Sequence, residues 1–179
     1  MVRWPVPESY STKVPPPSSP GSFWEDRGDR HHCGVDIYAP CNSLVVAAES
    51  GKVEYIGPFT SPEWIPYWNP TSSVICSLRG GYFIRYAELG EVWVECGDQI
   101  SFGEPIGRLG PVLNFSLIED ESPAYIRTLK DRGHQCMLHV EMYRTMPDND
   151  PHYLGGNWFG AGKPQGLLDP SLLLDHCWE

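Results

Sequence analysis

Arg30-His31-His32-Cys33-Gly34-Val35-Asp36-Ile37-Tyr38-Ala39-Pro40 is the stretch on which the reading of this chain turns. It is answered much later by Met137-Leu138-His139-Val140-Glu141. The imidazoles of His32 and His139 and the carboxylate of Asp36 make a good open zinc site, because three protein ligands leave a fourth position for water or a carbonyl oxygen. The His32–Asp36 spacing constrains the backbone. On a straight strand, residues four apart share a face but lie ~13 Å apart at ~3.3 Å per residue. Two ligands that each sit ~2.0–2.2 Å from one zinc cannot be so distant. A helix would bring them together, yet Gly34, β-branched Val35 and Ile37, and Pro40 oppose one. The sequence therefore predicts a bend, with Gly34 supplying it.

Outward from this stretch, strand-like segments fall near 35–39, 44–48, 51–57, 73–79, 81–88 and 138–144. Turn signals such as Gly80-Gly81 and Gly97-Asp98 separate them. Alternation in the last segment puts Met137, His139, Glu141 and Tyr143 on one face and Leu138, Val140 and Met142 on the other. The second set is the expected core face, which points His139 into the site. Residues 1–22, Pro- and Ser-rich, predict an extended arm, with residues 23–179 as a single domain. Two segments stand out as insertions. Residues 58–72 carry Phe59, Trp64, Tyr67 and Trp68 and form either a groove wall or a flap tucked onto the body. In 111–134, Ser122-Pro123 followed by Ala124 to Arg132 predicts a short helix capped by Ser122. A second short helix is expected from Asp169-Pro170 through Leu174.

These residues carry a family resemblance. The His32 stretch resembles the H-x-G-x-D-I-x-A-P opening of the lysostaphin-type (LytM-like) zinc metallopeptidases. Val45-Val46-Ala47-Ala48 with Gly51-Lys52-Val53, Tyr86-Ala87-Glu88-Leu89, Gly97-Asp98-Gln99-Ile100 with Gly103 to Gly107, Leu138-His139-Val140-Glu141 and Leu168-Asp169-Pro170 follow in the family's order. Trp4-Pro5-Val6 is similar to its leading strand. The resemblance implies an all-β fold, an antiparallel sheet or sandwich with a groove, here with two inserted loops and one or two short helices. It implies one zinc ion on His32, Asp36 and His139. It also implies two proton-handling histidines, at positions that hold Glu88 and Met137 in this chain.

The whole sequence fits this picture. Its 179 residues suit one domain, and eighteen Gly and eighteen Pro favour β structure with long loops. The net charge of −10 opposes binding to nucleic acid. No apolar run is long enough to span a bilayer. The N-terminus shows no apolar signal region, which predicts a cytoplasmic chain unless a leader has been trimmed. The six cysteines include no CxxC pair, so a zinc knuckle is not expected, and free thiols are favoured over disulfides. Cys33 and Cys136 are expected as small apolar fillers rather than ligands.

Three functional readings follow. In the first, the protein keeps zinc but is catalytically impaired, and its groove binds a peptide, peptidoglycan-like or protein ligand. Tyr86, Trp64, Trp68 and Tyr143 are the candidate groove residues. In the second, it is an active zinc endopeptidase on Gly-rich or peptidoglycan cross-bridge peptides, with Glu88 as substitute general base. Glu88 is otherwise a strand-end charge paired with Arg85 or Lys52. His31 and His134 are spare imidazoles. In the third, the metal is vestigial in a structural protein.

Overall fold

The computed structural model describes residues 2–177. Twelve strands follow in order: β1 (His31–His32), β2 (Val35–Tyr38), β3 (Leu44–Val46), β4 (Gly51–Thr60), β5 (Thr71–Leu78), β6 (Phe83–Val92), β7 (Gln99–Ile100), β8 (Pro105–Leu109), β9 (Met137–Tyr143), β10 (Tyr153–Leu154), β11 (Asn157–Trp158) and β12 (Leu167–Leu168). Two short helices complete the fold, α1 (Ala124–Asp131) and α2 (Ser171–Leu174). Nine strands form one antiparallel sheet along the path β12-β9-β6-β5-β4-β7, with β2 also paired to β9 and β8 joining β3 to β6. The other three form a small sheet, β1-β11-β10.

The face assignment of β9 follows its alternation. Leu138 and Val140 enter the main core with Val35, Ile37, Ile84 and Tyr86. Burying such a side chain is worth about 1.5–3 kcal/mol, and a one-residue slip would invert the strand. The opposite face carries Met137, His139, Glu141 and Tyr143, and these are buried too, beneath the loops and α1. β2 pairs with β9 so that Asp36 stands directly opposite His139. The chain's first residues join the core: Trp4 and Val6 are buried, the Arg3 N–H donates to the Ala48 carbonyl, and the Val46 N–H donates to the Pro5 carbonyl.

Two expectations are corrected here. Cys41 and Cys136 form a disulfide, so Cys136 is a cross-link rather than a filler, while Cys33, Cys76, Cys96 and Cys177 are free. Their Cα atoms are 5.1 Å apart, within bridging range, because Pro40 ends β2 beside the start of β9. Ser122 does not cap α1. Pro123 occupies the cap position with no side-chain bond, and the Ser122 hydroxyl accepts from the Glu119 N–H instead. The 58–72 segment divides between both readings: Trp68 is tucked in, while Trp64 is 44% exposed.

Candidate metal centre

The three expected ligands come from both sheets. β1 ends at His32, the chain breaks at Cys33-Gly34, and β2 carries Asp36. This break replaces the long strand spacing with a contact: His32 Nε2 lies 3.0 Å from Asp36 Oδ1. His139 Nδ1 is 2.9 Å from the same oxygen and 2.9 Å from His32 Nε2. Gly34 has a second use besides the bend. A Cβ there would stand 2.3 Å from the Val140 carbonyl oxygen and 2.8 Å from the His139 ring. From the other side, Gly156, at φ +77°, leaves equally little room, since its Cβ would lie 2.7 Å from the ring. The imidazole therefore sits between two positions, Gly34 and Gly156, that leave no room for a Cβ.

Partners on the far side of each ring fix its tautomer. His32 Nδ1 donates to the Ser22 carbonyl at 2.8 Å, leaving the Nε2 lone pair inward. His139 Nε2 donates to Glu141 Oε1 at 2.9 Å, leaving Nδ1 inward. Such outer carboxylate and carbonyl partners orient metal-binding imidazoles and raise their basicity. Glu141 is itself held by Arg85, Tyr143 and Tyr153, with the Arg85 contact at 2.8 Å and the Tyr143 contact at 2.6 Å. Burial opposes its charge, but Arg85 and His139 hold its carboxyl down at about 2. Two imidazole nitrogens and a carboxylate oxygen thus converge on one point, where a proton shared between His139 and Asp36 or a metal ion can satisfy them. The arrangement calls for a cation at the centre. Against burial, hydrogen bonds that the His139 ring donates to Asp36 and Glu141 push its pKa up to about 9, and, again against burial, His32 and His139 hold Asp36 well below the usual carboxylate range. The donor set fits zinc, which takes nitrogen and oxygen ligands with a position left open.

Glu88 reaches the same cavity through a bulge. Ser73 and Ser72 of β5 pair with Ala87 and Leu89 of β6, so Glu88 is the extra residue, at φ +69°. Bulges of this kind redirect a side chain. Without it, Glu88 would follow Tyr86 to the core face. One of its carboxylate oxygens, Oε2, is buried with no hydrogen-bond partner, and burial, with Asp36 nearby, pushes its pKa up to about 8. Neither proposed partner reaches it: Arg85 pairs with Glu141 and Lys52 with Glu54. The cavity shared by Glu88, His32, Asp36 and His139 holds only about 30 Å³. Trp68, Leu113, Ile126, Leu129 and Met137 close it, and all five belong to one apolar cluster.

Residues 30–150 match Peptidase family M23. The chain belongs to that family. Solved structures agree on the fold. The catalytic domain of lysostaphin from Staphylococcus simulans is 18% identical, with 81% of this chain and 80% of that one covered at a TM-score of 0.50. A putative peptidase M23 from Pseudomonas aeruginosa is 16% identical, with 97% and 50% covered at a TM-score of 0.51. The chain spans 43% of lysostaphin and 50% of the Pseudomonas protein, about half the length of these relatives. No curated protein matches the sequence.

Within this M23 fold the other candidate residues scatter. Tyr86 is fully buried in the main core and its hydroxyl accepts from the Ala48 N–H, a correction to its expected place in a groove. Alternation explains this, since Arg85 and Ala87 take the metal-facing side, opposite Glu141 and His139. Trp68 lines the closed metal cavity, and Trp64 faces a separate depression of about 560 Å³ with Tyr55 and Phe59. Tyr143 borders another of about 390 Å³, which Arg85 and Tyr153 also line. His31 stacks on Trp24 and His134 on Tyr38, and neither lines the cavity. Cys33 packs with Tyr143 and Trp158, away from the ligand group. Sequence reasoning left Arg27, Tyr153 and the role of Glu141 unassigned. Glu141 was within reach, two residues beyond His139 on the same strand face. Arg27 was not, because nothing in its local spacing ties it to Asp36.

Among the described residues, no helix is long and apolar enough to cross a membrane.

Proposed function

We propose that this M23 protein binds one zinc ion, is impaired in peptide cleavage, and acts by holding a peptide, peptidoglycan-like or protein ligand. The observation that carries this reading is the closure of the metal cavity. A space of about 30 Å³ accommodates an ion and a water or two. Ligand pockets usually run to ~300–1,000 Å³. Zinc held by His32, Asp36 and His139 would supply Lewis acidity that polarises a carbonyl and acidifies water. Amide cleavage also requires a proton for the departing nitrogen. Met137, at a position where the family resemblance calls for histidine, carries none, and it packs into the apolar cluster that shuts the cavity. The depressions beside Trp64 and Tyr143, of about 560 and 390 Å³, are open surfaces of ligand size.

A second reading, an active endopeptidase with Glu88 as base and then acid, draws support from the unpartnered Glu88 oxygen and its raised proton affinity. One experiment separates the two. The zinc-loaded protein is incubated with pentaglycine and with cross-linked muropeptides, and products and binding are both followed. We expect saturable binding weakened by Trp64→Ala, without hydrolysis above a chelator-treated control. Strong hydrolysis that Glu88→Gln abolishes would establish the enzyme reading instead.

A further inference from the structure

Arg27 lies outside every motif of the sequence, yet it is almost fully buried beside the metal ligands. A hairpin places it there. The Trp24 N–H donates to the His32 carbonyl, the His32 N–H to the Glu25 carbonyl, and the Arg27 N–H to the Arg30 carbonyl. The ribbon that delivers His32 therefore delivers Arg27 too. All three guanidinium nitrogens are used: Nε donates to Glu25 Oε2 at 3.1 Å, Nη1 to Asn157 Oδ1 at 3.1 Å, and Nη2 to Asp36 Oδ2 at 3.2 Å. The Tyr125 ring of α1 covers the flat face, 4.4 Å from the guanidinium carbon. Asn157 cannot turn away, because its amide nitrogen donates to the Gly155 carbonyl at 2.9 Å.

The consequence falls on Asp36, whose two oxygens do different work. Oδ1 faces His32 and His139, and Oδ2 faces Arg27. We propose that Arg27 is a positioning residue that holds Oδ2 of Asp36 aside and so commits this carboxylate to ligate the metal through Oδ1 alone. A guanidinium suits the task, since its rigid planar fork meets Glu25, Asn157 and Asp36 at once; a lysine ammonium, a compact point charge on a flexible stem, cannot. Tyr125 extends the arrangement to the 111–134 insertion, whose helix stacks on the group that aims a ligand. This inference rests on the zinc reading of His32, Asp36 and His139.

The test measures zinc affinity by chelator competition, and cobalt(II) absorption as a report of coordination number, in wild type, His139→Ala, Arg27→Lys and Arg27→Gln. Loss of about one equivalent of zinc in His139→Ala supports the metal reading by itself. The two Arg27 variants are then expected to bind zinc about 10- to 100-fold more weakly, as changes in outer partners of metal ligands do. Their cobalt bands should also weaken as the second Asp36 oxygen moves onto the metal. If His139→Ala keeps its zinc, the metal reading falls and the role of Arg27 with it. If His139→Ala loses zinc but the Arg27 variants bind within about twofold of wild type, or bind weakly with unchanged cobalt spectra, the Arg27 inference alone is overturned. A measurement without any variant covers the case in which Arg27→Gln does not fold. X-ray absorption at the zinc edge of the wild type should show a carboxylate bound through one oxygen, and a two-oxygen chelate overturns the proposal.

Discussion

At the scale of single residues, the convergence of His32, Asp36 and His139 into a group that could hold a metal was legible, because metal chemistry restricts the residue types and the His32–Asp36 spacing demanded a bend. The clearance that Gly34 and Gly156 provide was not legible, since it depends on a ring from a distant strand. Gly156→Ala should cost about 1–3 kcal/mol through overpacking against His139, and more through its left-handed backbone. Urea denaturation would register it, and stability equal to wild type would show that the slot is looser than the 2.7 Å approach implies. Glu88 offers a second test. Its pKa of about 8 exceeds the ~4.3 of an unfolded glutamate. The folded chain thus keeps a proton that the unfolded chain has released, so this group lowers stability as pH rises from about 4.5 to about 8. With chelator present, the advantage of Glu88→Gln over wild type should be small at pH 4–5 and largest above pH 8. Parallel curves would show that Glu88 is not held in its buried place.

At the scale of elements, alternation on β9 gave the correct faces, while on β6 the same alternation holds only as far as Ala87. Tyr86 and Glu88 are two apart and should share a face, but the bulge at Glu88 separates them, and no turn residue announces it. The helix in 111–134 was expected from its composition, yet its purpose emerged only from packing. Ile126 and Leu129 are its two buried apolar residues, and both line the metal cavity. That makes α1 the element to loosen. Leu129→Ala should cost about 2–5 kcal/mol if the site cannot collapse, with the loss concentrated in α1. Zinc should then pass to a strong chelator at least severalfold faster than from wild type. An unchanged release rate in a variant of lowered stability would mean that metal leaves by a route that α1 does not cover. The Cys41–Cys136 bridge belongs to this scale as well. Free thiols are the expectation for a chain of this length with no signal region, and the pairing itself was not legible because it depends on Cys41 and Cys136 meeting across 95 residues of chain.

At the scale of the whole molecule, six of the nine strands of the large sheet were readable from period and turn signals, whereas β7, β8, β12 and the small sheet were not. Two-residue strands such as β1, β10 and β11 contain no period to read. Their position matters, because His32 belongs to the small sheet while Asp36 and His139 belong to the large one. A zinc ion at this point would clasp two sheets that also meet through the Tyr153–Glu141 hydrogen bond and the Arg27 bridge from Asn157 to Asp36. Metal binding should therefore stabilise the folded chain as a whole. At free zinc of about 100 times Kd, the gain is about 2.7 kcal/mol. For a domain of this size, 1 kcal/mol shifts Tm by about 2–4 °C, so zinc should raise Tm by roughly 5–11 °C. Amide exchange should slow most along β1 and β11, where the clasp acts. His139→Ala should abolish both effects, and a Tm rise that survives this substitution would place the stabilising metal elsewhere on the protein.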